Sequence, residues 1–377
     1  MAVLCNSKLV KSLTRRVKKD KEVIHVQINS ITSRQIAMAF TGSILGAGFV
    51  SGQELMQFFA VFGSYGLMGM LLAVLMLLLL SCLVMKIANR TGITEFDKII
   101  VRKEIPWLRA VFGGVFVFFL FGVIVIMIAG AGALLNQVLS IPALIGNVLM
   151  TVFLGVVALW EARGVLTAFS ITVPVLIVVA VISGILSFVF IGGSNMVARP
   201  FSQENPLLGN WLFSAILFVS YNMMVIISIL VPIAPEVAGD RIIHRGVFQG
   251  ALQLLIIFAC ILLPLIFNQP ALAGTELPML TLAERIHPIW GLVYAVLLFC
   301  GMFGSSLSCL FGVTYRIKKI KNVKGTTLIP ALMATAFMGS IVGFKELIGI
   351  ILPICGYLGF FAMIGIVMHF LSLQQNA

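Results

Sequence analysis

Residues 41–59 read TGSILGAGFVSGQELMQFF. Four glycines (Gly42, Gly46, Gly48 and Gly52) fall within eleven residues of an apolar run and sit beside a carboxylate, Glu54. Glycines spaced this way either let a neighbouring helix approach closely or let the helix unwind, so that bare backbone faces a cavity. Three details favour unwinding. Ser51-Gly52-Gln53-Glu54 matches the S-x-x-E capping box, a pattern that starts a helix. A helix starting in mid-span requires a break just before it, expected at Gly46-Ala47-Gly48. A carboxylate at that depth costs about 3 kcal/mol on insertion scales and is rarely idle. Its position near the start of the new half-helix also favours its charge. Phe58, Phe59 and Phe62 follow, as an apolar closure above the break or as ordinary packing.

The rest of the chain places this stretch in a membrane. Of its 377 residues 60% are hydrophobic and only 10% charged, and the mean hydropathy is +1.14. A soluble domain carries about a quarter charged residues, so a soluble enzyme, a secreted disulfide scaffold and a disordered regulator are all disfavoured. Apolar runs fall at 34–62, 65–88, 107–135, 141–160, 165–190, 208–232, 246–267, 288–315, 327–344 and 347–370. Several exceed the roughly 20 residues that cross a bilayer as a helix, and they lack the alternation of barrel strands. The fold class expected is therefore all-α and integral to the membrane, with about ten spans.

The charges orient those spans. With the N-terminus in the cytoplasm, all of the 25 Lys and Arg residues fall on the cytoplasmic side except Arg199, Arg285 and Lys345. That asymmetry predicts an even number of spans with both ends inside, in the cytoplasmic (inner) membrane. It also accounts for the net charge of +12 without a nucleic-acid partner. Residues 1–33 then read as a basic cytoplasmic arm on anionic lipid, 34–195 as a first set of five helices, 196–370 as a second, and 371–377 as a short tail. Residues 91–106 suggest a short interfacial helix. Residues 268–287 suggest a short outer helix across the extracellular mouth, with a Thr cap and a Pro in its first turn.

Two sets of five cross the membrane with opposite polarity. Ser220-Tyr221-Asn222 lies in mid-span of the sixth run, at the position corresponding to Gly46–Gly48 in the first. Such polar residues either bond another helix or mark a second interruption, and paired interruptions of inverted halves point to a transporter's binding site. Helices 1 and 6 are thus expected to be broken. The six cysteines include no CxxC pair, and the four histidines lie in the tail, in loops or near a span end. No HExxH, Walker A or GxSxG pattern occurs, which argues against an enzyme and against ATP-driven transport.

Gly46-Ala47-Gly48-Phe49-Val50-Ser51-Gly52-Gln53-Glu54 followed by Phe58-Phe59 resembles the signature of the YkvI family of uncharacterised bacterial membrane proteins. That family is similar to the amino acid–polyamine–organocation superfamily, whose members share the LeuT-like five-plus-five inverted repeat. The resemblance implies secondary transport of a small organic solute, an amino acid or related compound, by alternating access with Na+ or H+ coupling and no other cofactor. The implied substrate site has Gly46, Ala47, Gly48, Phe49, Ser51 and Glu54 on one side and Ser220, Tyr221 and Asn222 on the other. It further implies that backbone N–H groups around Gly48–Ser51 hold a substrate carboxylate. A sodium ion would sit between carbonyls near Gly42–Leu45 and the hydroxyls of Ser305, Ser306 and Ser308. Glu54 departs from characterised amino acid carriers and reads three ways: a proton site, a partner for a cationic substrate group, or a capping-box member only. Asn136-Gln137 reads as an interfacial cap, and Tyr357 as part of a packed kink or a neighbour of the pathway. A transporter-like receptor or scaffold, binding a small molecule without moving it, is the alternative function.

Overall fold

A threonine that the sequence analysis passed over starts the first helix. The computed structural model describes residues 31–94, 99, 106–159, 163–190, 205–272, 274–320 and 325–374, and every regular element among them is helical. Helix α1 (Ser33–Ile44) opens with a complete capping box: Thr32 Oγ1 accepts from Gln35 N, and the Gln35 side chain accepts from Thr32 N at 2.9 Å. The chain then breaks at Leu45–Gly46, makes a single turn, α2 (Ala47–Val50), and breaks again at Ser51–Gly52 before α3 (Gln53–Phe58).

The remaining helices are α4 (Ser64–Thr91), α5 (Pro106–Leu139), α6 (Ala143–Leu159), α7 (Arg163–Phe190), α8 (Trp211–Ile233), α9 (Asp240–Phe267), α10 (Gln269–Leu272), α11 (Pro278–Ile286), α12 (Pro288–Ile320), α13 (Gly325–Ser340) and α14 (Phe344–Gln374). Among the described residues six segments, in α4, α5, α8, α9, α12 and α14, are long and apolar enough to cross a membrane. The expected runs 141–160 and 327–344 correspond to α6 and α13, which are only 17 and 16 residues long. At 1.5 Å per residue each is about 25 Å, just short of the hydrocarbon core.

Hydrogen bonds between elements set the direction of the chain. At one end, here the near end, Asn89 from the close of α4 donates to the carbonyls of Ala234 and Val237 just after α8, and Arg90 pairs with Asp240 at the start of α9. At the far end, Ser214 at the start of α8 donates to Phe58 O, Gln57 donates to Lys345 O at the start of α14, and Gln137 at the close of α5 donates to Glu284 of α11. Consecutive long helices therefore alternate in direction, and α1 starts at the same end at which α8, α12 and α14 finish. Close approach of α14 to α8 depends on Gly359, where an added Cβ would lie 2.6 Å from Ser220 O.

Two expectations fail here. Helix 6 is not interrupted: α8 runs unbroken from Trp211 to Ile233. Its mid-span polar groups instead bond one turn back, Ser220 Oγ to Ile216 O and Asn222 Nδ2 to Phe218 O, which satisfies them without unwinding the backbone. The outer helix exists as α11, but its N-cap is Leu277; the Thr275 hydroxyl donates backward to Leu272 O. The basic arm 1–30, most of the 91–106 segment and the tail from 375 lie outside the described residues.

Candidate functional site

At the first break the carbonyl end of α1 meets the N–H end of α2. The N–H groups that open α2 have no helical carbonyl four residues back, and the last carbonyls of α1 have no helical donor. Both face a cavity of about 450 Å³ whose wall includes every residue from Gly42 to Gly48. Across it stand Tyr221 and Asn222 of α8, Phe119, Val123, Ile126 and Met127 of α5, and Ser305, Ser308 and Cys309 of α12.

Glu54 is the acidic side chain of this wall, and no Lys, Arg or His is among the described lining residues. It stands in the first turn of α3, and one carboxylate oxygen accepts from the Tyr221 hydroxyl at 3.1 Å. The other lies so close to Gly48 that a Cβ there would be 2.7 Å away, with the Met127 methyl 3.1 Å from the same point. Glycine at 48 is what leaves room for the carboxylate.

The carbonyls beyond the break are all engaged, which holds the unwound stretch in one shape. Tyr294 of α12 donates to Val50 O at 2.6 Å, Ser51 Oγ to Gly48 O at 2.6 Å, and Met279 N of α11 to Ser51 O at 3.1 Å. Gly52 takes a left-handed conformation with φ +84°, so its role is conformational.

The cavity is closed on one side only. Toward the far end, Phe49 packs on Phe258 with ring centroids 4.6 Å apart, Phe59 on Phe218 at 5.0 Å, and Phe58 on Tyr221 at 5.6 Å; the five phenylalanines are fully buried. Above them α11 lies over the break. Its leading loop is pinned by Glu276, whose carboxylate accepts from Phe344 N; burial first, and the charge of Glu346 second, push its pKa up. Toward the near end, Gly42, Ile229 and Ser308 are exposed.

The structure brings Gly42, Leu45, Gly46, Ala47, Gly48, Glu54, Tyr221, Asn222, Ser305 and Ser308 to one cavity. It places Phe49, Ser51, Ser220 and Ser306 in packed surroundings outside that wall. Ser306 Oγ donates to Met302 O at 2.8 Å, and Ser308 Oγ to Gly304 O at 2.9 Å. The Ser51–Glu54 capping box does not form: Ser51 closes α2, Gly52 is the N-cap of α3, and the Glu54 side chain turns to Tyr221. The N–H groups of Val50, Ser51 and Gly52 already donate to Gly46, Ala47 and Phe49 carbonyls, so within Gly48–Ser51 only the first turn's groups face the cavity unspent.

Asn136 donates to Ile141 O at the turn after α5, while its neighbour Gln137 reaches α11. Tyr357 donates to Leu207 O at the far end, away from the cavity wall. Tyr294 was missed by sequence reasoning. Its signal was the one hydroxyl in residues 288–304, the apolar first half of that run, since a buried tyrosine needs an acceptor. Among the described residues no three His, Cys, Asp or Glu side chains converge on a metal position.

With this geometry in hand, comparison with known proteins adds the following. No protein-family model matches the chain. It is 28% identical over 329 residues to the uncharacterised membrane protein YkvI of Bacillus subtilis, covering 86% of this chain and 92% of that one. It is 26% identical over 335 residues to the uncharacterised protein YyaD of the same organism, covering 87% and 94%. The resemblance to YkvI read from residues 46–59 thus holds across most of the chain. Among solved structures, a manganese transporter variant from Eremococcus coleocola superposes with a TM-score of 0.59 at 12% identity, over 90% of this chain and 78% of that one. The same transporter in complex with an aromatic bis-isothiourea compound gives 0.58 at 11% identity, over 90% and 85%. The chain thus shares its fold with that protein.

Proposed function

We propose that this protein is a secondary active transporter of a small organic solute, an amino acid or related compound, working by alternating access. One observation carries the reading: the first break, with Gly42–Gly48 on either side of it, and Glu54 lie on the wall of a cavity open toward one end and sealed toward the other. In this reading α1 to α7 and α8 to α14 are two sets of five spans in inverted orientation, with α8 continuous in the state described. If the basic segments mark the cytoplasm, the cavity opens inward and the phenylalanine layer is the closed outer gate. Leu45–Gly46 and Ser51–Gly52 would then be the hinges about which α2 and α3 tilt to open the other side.

Manganese, the metal of the structurally similar transporter, is not carried over. A manganese ion favours several hard oxygen ligands, carboxylates among them, whereas among the described lining residues Glu54 is the one carboxylate and the other side-chain oxygens, of Ser43, Tyr221, Asn222, Ser305 and Ser308, are neutral. For coupling, Glu54 is the candidate proton site. Carbonyls near Gly42–Leu45 with Ser305 and Ser308 are the candidate sodium site, and Ser306 drops out because it is fully buried in packing and is not on the cavity wall.

The test is uptake into proteoliposomes driven by a sodium gradient or by a pH gradient. Expected is accumulation of a small solute under one of the two. In the proton case Glu54→Gln should abolish pH-driven uptake while leaving the melting temperature near that of wild type. Binding without accumulation under either gradient would make the protein a receptor or scaffold instead.

A further inference from the structure

The charge inside the cavity has a consequence for its cargo. Glu54 is partly exposed to the cavity, and its protein partner is a neutral hydroxyl, Tyr221, at 3.1 Å. No Lys, Arg or His among the described residues lines the same space. The carbonyl end of α1, twelve residues long, opens at Gly42–Leu45 onto the same space and adds partial negative charge. Opposed to it is only the single turn of α2, too short to present a comparable positive end.

Two rings line the same cavity as the carboxylate: Phe119 and Tyr221 lie with centroids 6.3 Å apart, so a cation in this space has aromatic rings as well as a carboxylate among its neighbours. Beyond them Val123, Ile126 and Met127 give an apolar wall. The volume of about 450 Å³ falls within the range that encloses small organic ligands.

We infer that the solute is a small organic monocation: one ammonium group, held by Glu54 under Tyr221, on an apolar body held by α5. This rests on the transport reading above and narrows it. An amino acid would bring a carboxylate into a space whose acidic side chain is Glu54, with no basic side chain among the described lining residues to receive it. A dication would leave its second charge without a counterpart, and an organic acid would meet repulsion alone.

The experiment compares compounds of equal body and different charge on purified full-length protein at about pH 8.5, well below the ordinary ammonium range. One set is phenethylamine, phenylalanine and hydrocinnamate; the other is isobutylamine, valine and isovalerate. Dissociation constants come from calorimetry and, in parallel, from ligand-induced shifts in melting temperature. The amine of each set should bind at least tenfold more tightly than its amino acid, and the acid should not bind measurably. Glu54→Gln should weaken amine binding at least tenfold with little change in the melting temperature of the unliganded protein.

An amino acid that outbinds its amine, no binding of either amine, or amine binding unchanged in Glu54→Gln would each overturn the inference. The ranking in wild-type protein stands without any variant, so a poorly folded substitution does not leave the question open. Uptake of the same six compounds separates this idea from the one beneath it. Accumulation of an amino acid in preference to its amine removes the monocation and keeps the transporter. Amine binding with no uptake under either gradient removes the transporter and keeps the cationic site.

Discussion

The two stretches that meet at Glu54 and Tyr221 are built by opposite rules. Residues Ile44–Gln53 are broken twice, whereas Val219–Met223 of α8 lie in unbroken helix, although both carry polar residues at mid-span. The first holds Gly46, Gly48 and Gly52, and α8 has no glycine from Trp211 to Ile233. In a helix interior glycine costs about 1 kcal/mol relative to alanine, while serine and asparagine can bond a carbonyl one turn back and leave the helix whole. Polarity at mid-span therefore did not unwind the backbone; the glycines did, and the carbonyls they freed found partners on α11 and α12.

Gly52→Ala attacks the broken side most directly. The left-handed conformation and a Cβ 2.7 Å from Met279 Cγ both oppose a side chain there, a combined cost of about 2–4 kcal/mol. The melting temperature in detergent should fall clearly, because the bond from Met279 N to Ser51 O depends on that turn. An unaltered melt would mean that the second break is not built on Gly52.

Gly48→Ala should act on binding more than on folding. The atoms in its way are the ends of flexible side chains, Glu54 Oε1 and the Met127 methyl, so the chain can adjust. Better helix propensity also offsets part of any loss. The carboxylate must move, however, and ligand affinity should drop about tenfold, near 1.4 kcal/mol. Full affinity in this variant would detach Glu54 from the binding site.

Much of this contrast was legible in the sequence, and its gaps have physical causes. The apolar runs located the helices, and the glycine spacing located the first break to within two residues. The capping box at Ser51–Glu54 misled because a pattern of residue types does not say where a side chain points; Tyr221, distant in sequence, offered Glu54 a better partner. The real capping box, at Thr32–Gln35, lies at the edge of the basic arm, where no break drew notice. The interruption expected in α8 failed because Ser220 and Asn222 find carbonyl partners one turn back, which their position in the chain does not reveal. Ser306 likewise read as one hydroxyl among three, and only the helical phase of α12 turns Ser305 and Ser308 to the cavity and Ser306 into packing.

Tyr221→Phe probes the meeting point itself. It removes the hydroxyl that donates to Glu54 and keeps the ring that packs on Phe58, Phe119 and Phe218. Losing one hydrogen bond at a site that water or ligand can reach should cost about 1 kcal/mol, or roughly fivefold in affinity. A loss as large as that of Glu54→Gln would make the tyrosine a direct ligand rather than a group that positions the carboxylate. Titration of binding in the two variants, side by side, decides between these.

The smallest effects belong to the hydroxyls that the unbroken helices have already spent. Ser220 Oγ donates to Ile216 O at 2.7 Å and Ser306 Oγ to Met302 O at 2.8 Å, and both residues are fully buried away from the cavity wall. Replacing either with alanine loses one back-bond, whose carbonyl still accepts the helical N–H four residues on, and gains helix propensity. The net change should stay within about 0.5 kcal/mol, with ligand affinity and any sodium dependence of uptake unchanged. Ser305→Ala is the matched comparison, since Ser305 lies on the cavity wall one residue from Ser306. If sodium coupling uses α12, Ser305→Ala should weaken it and Ser306→Ala should not. The reverse result would mean that α12 turns during the cycle and brings the buried hydroxyl to the ion, so that this helix, unbroken like α8, would also be a moving part.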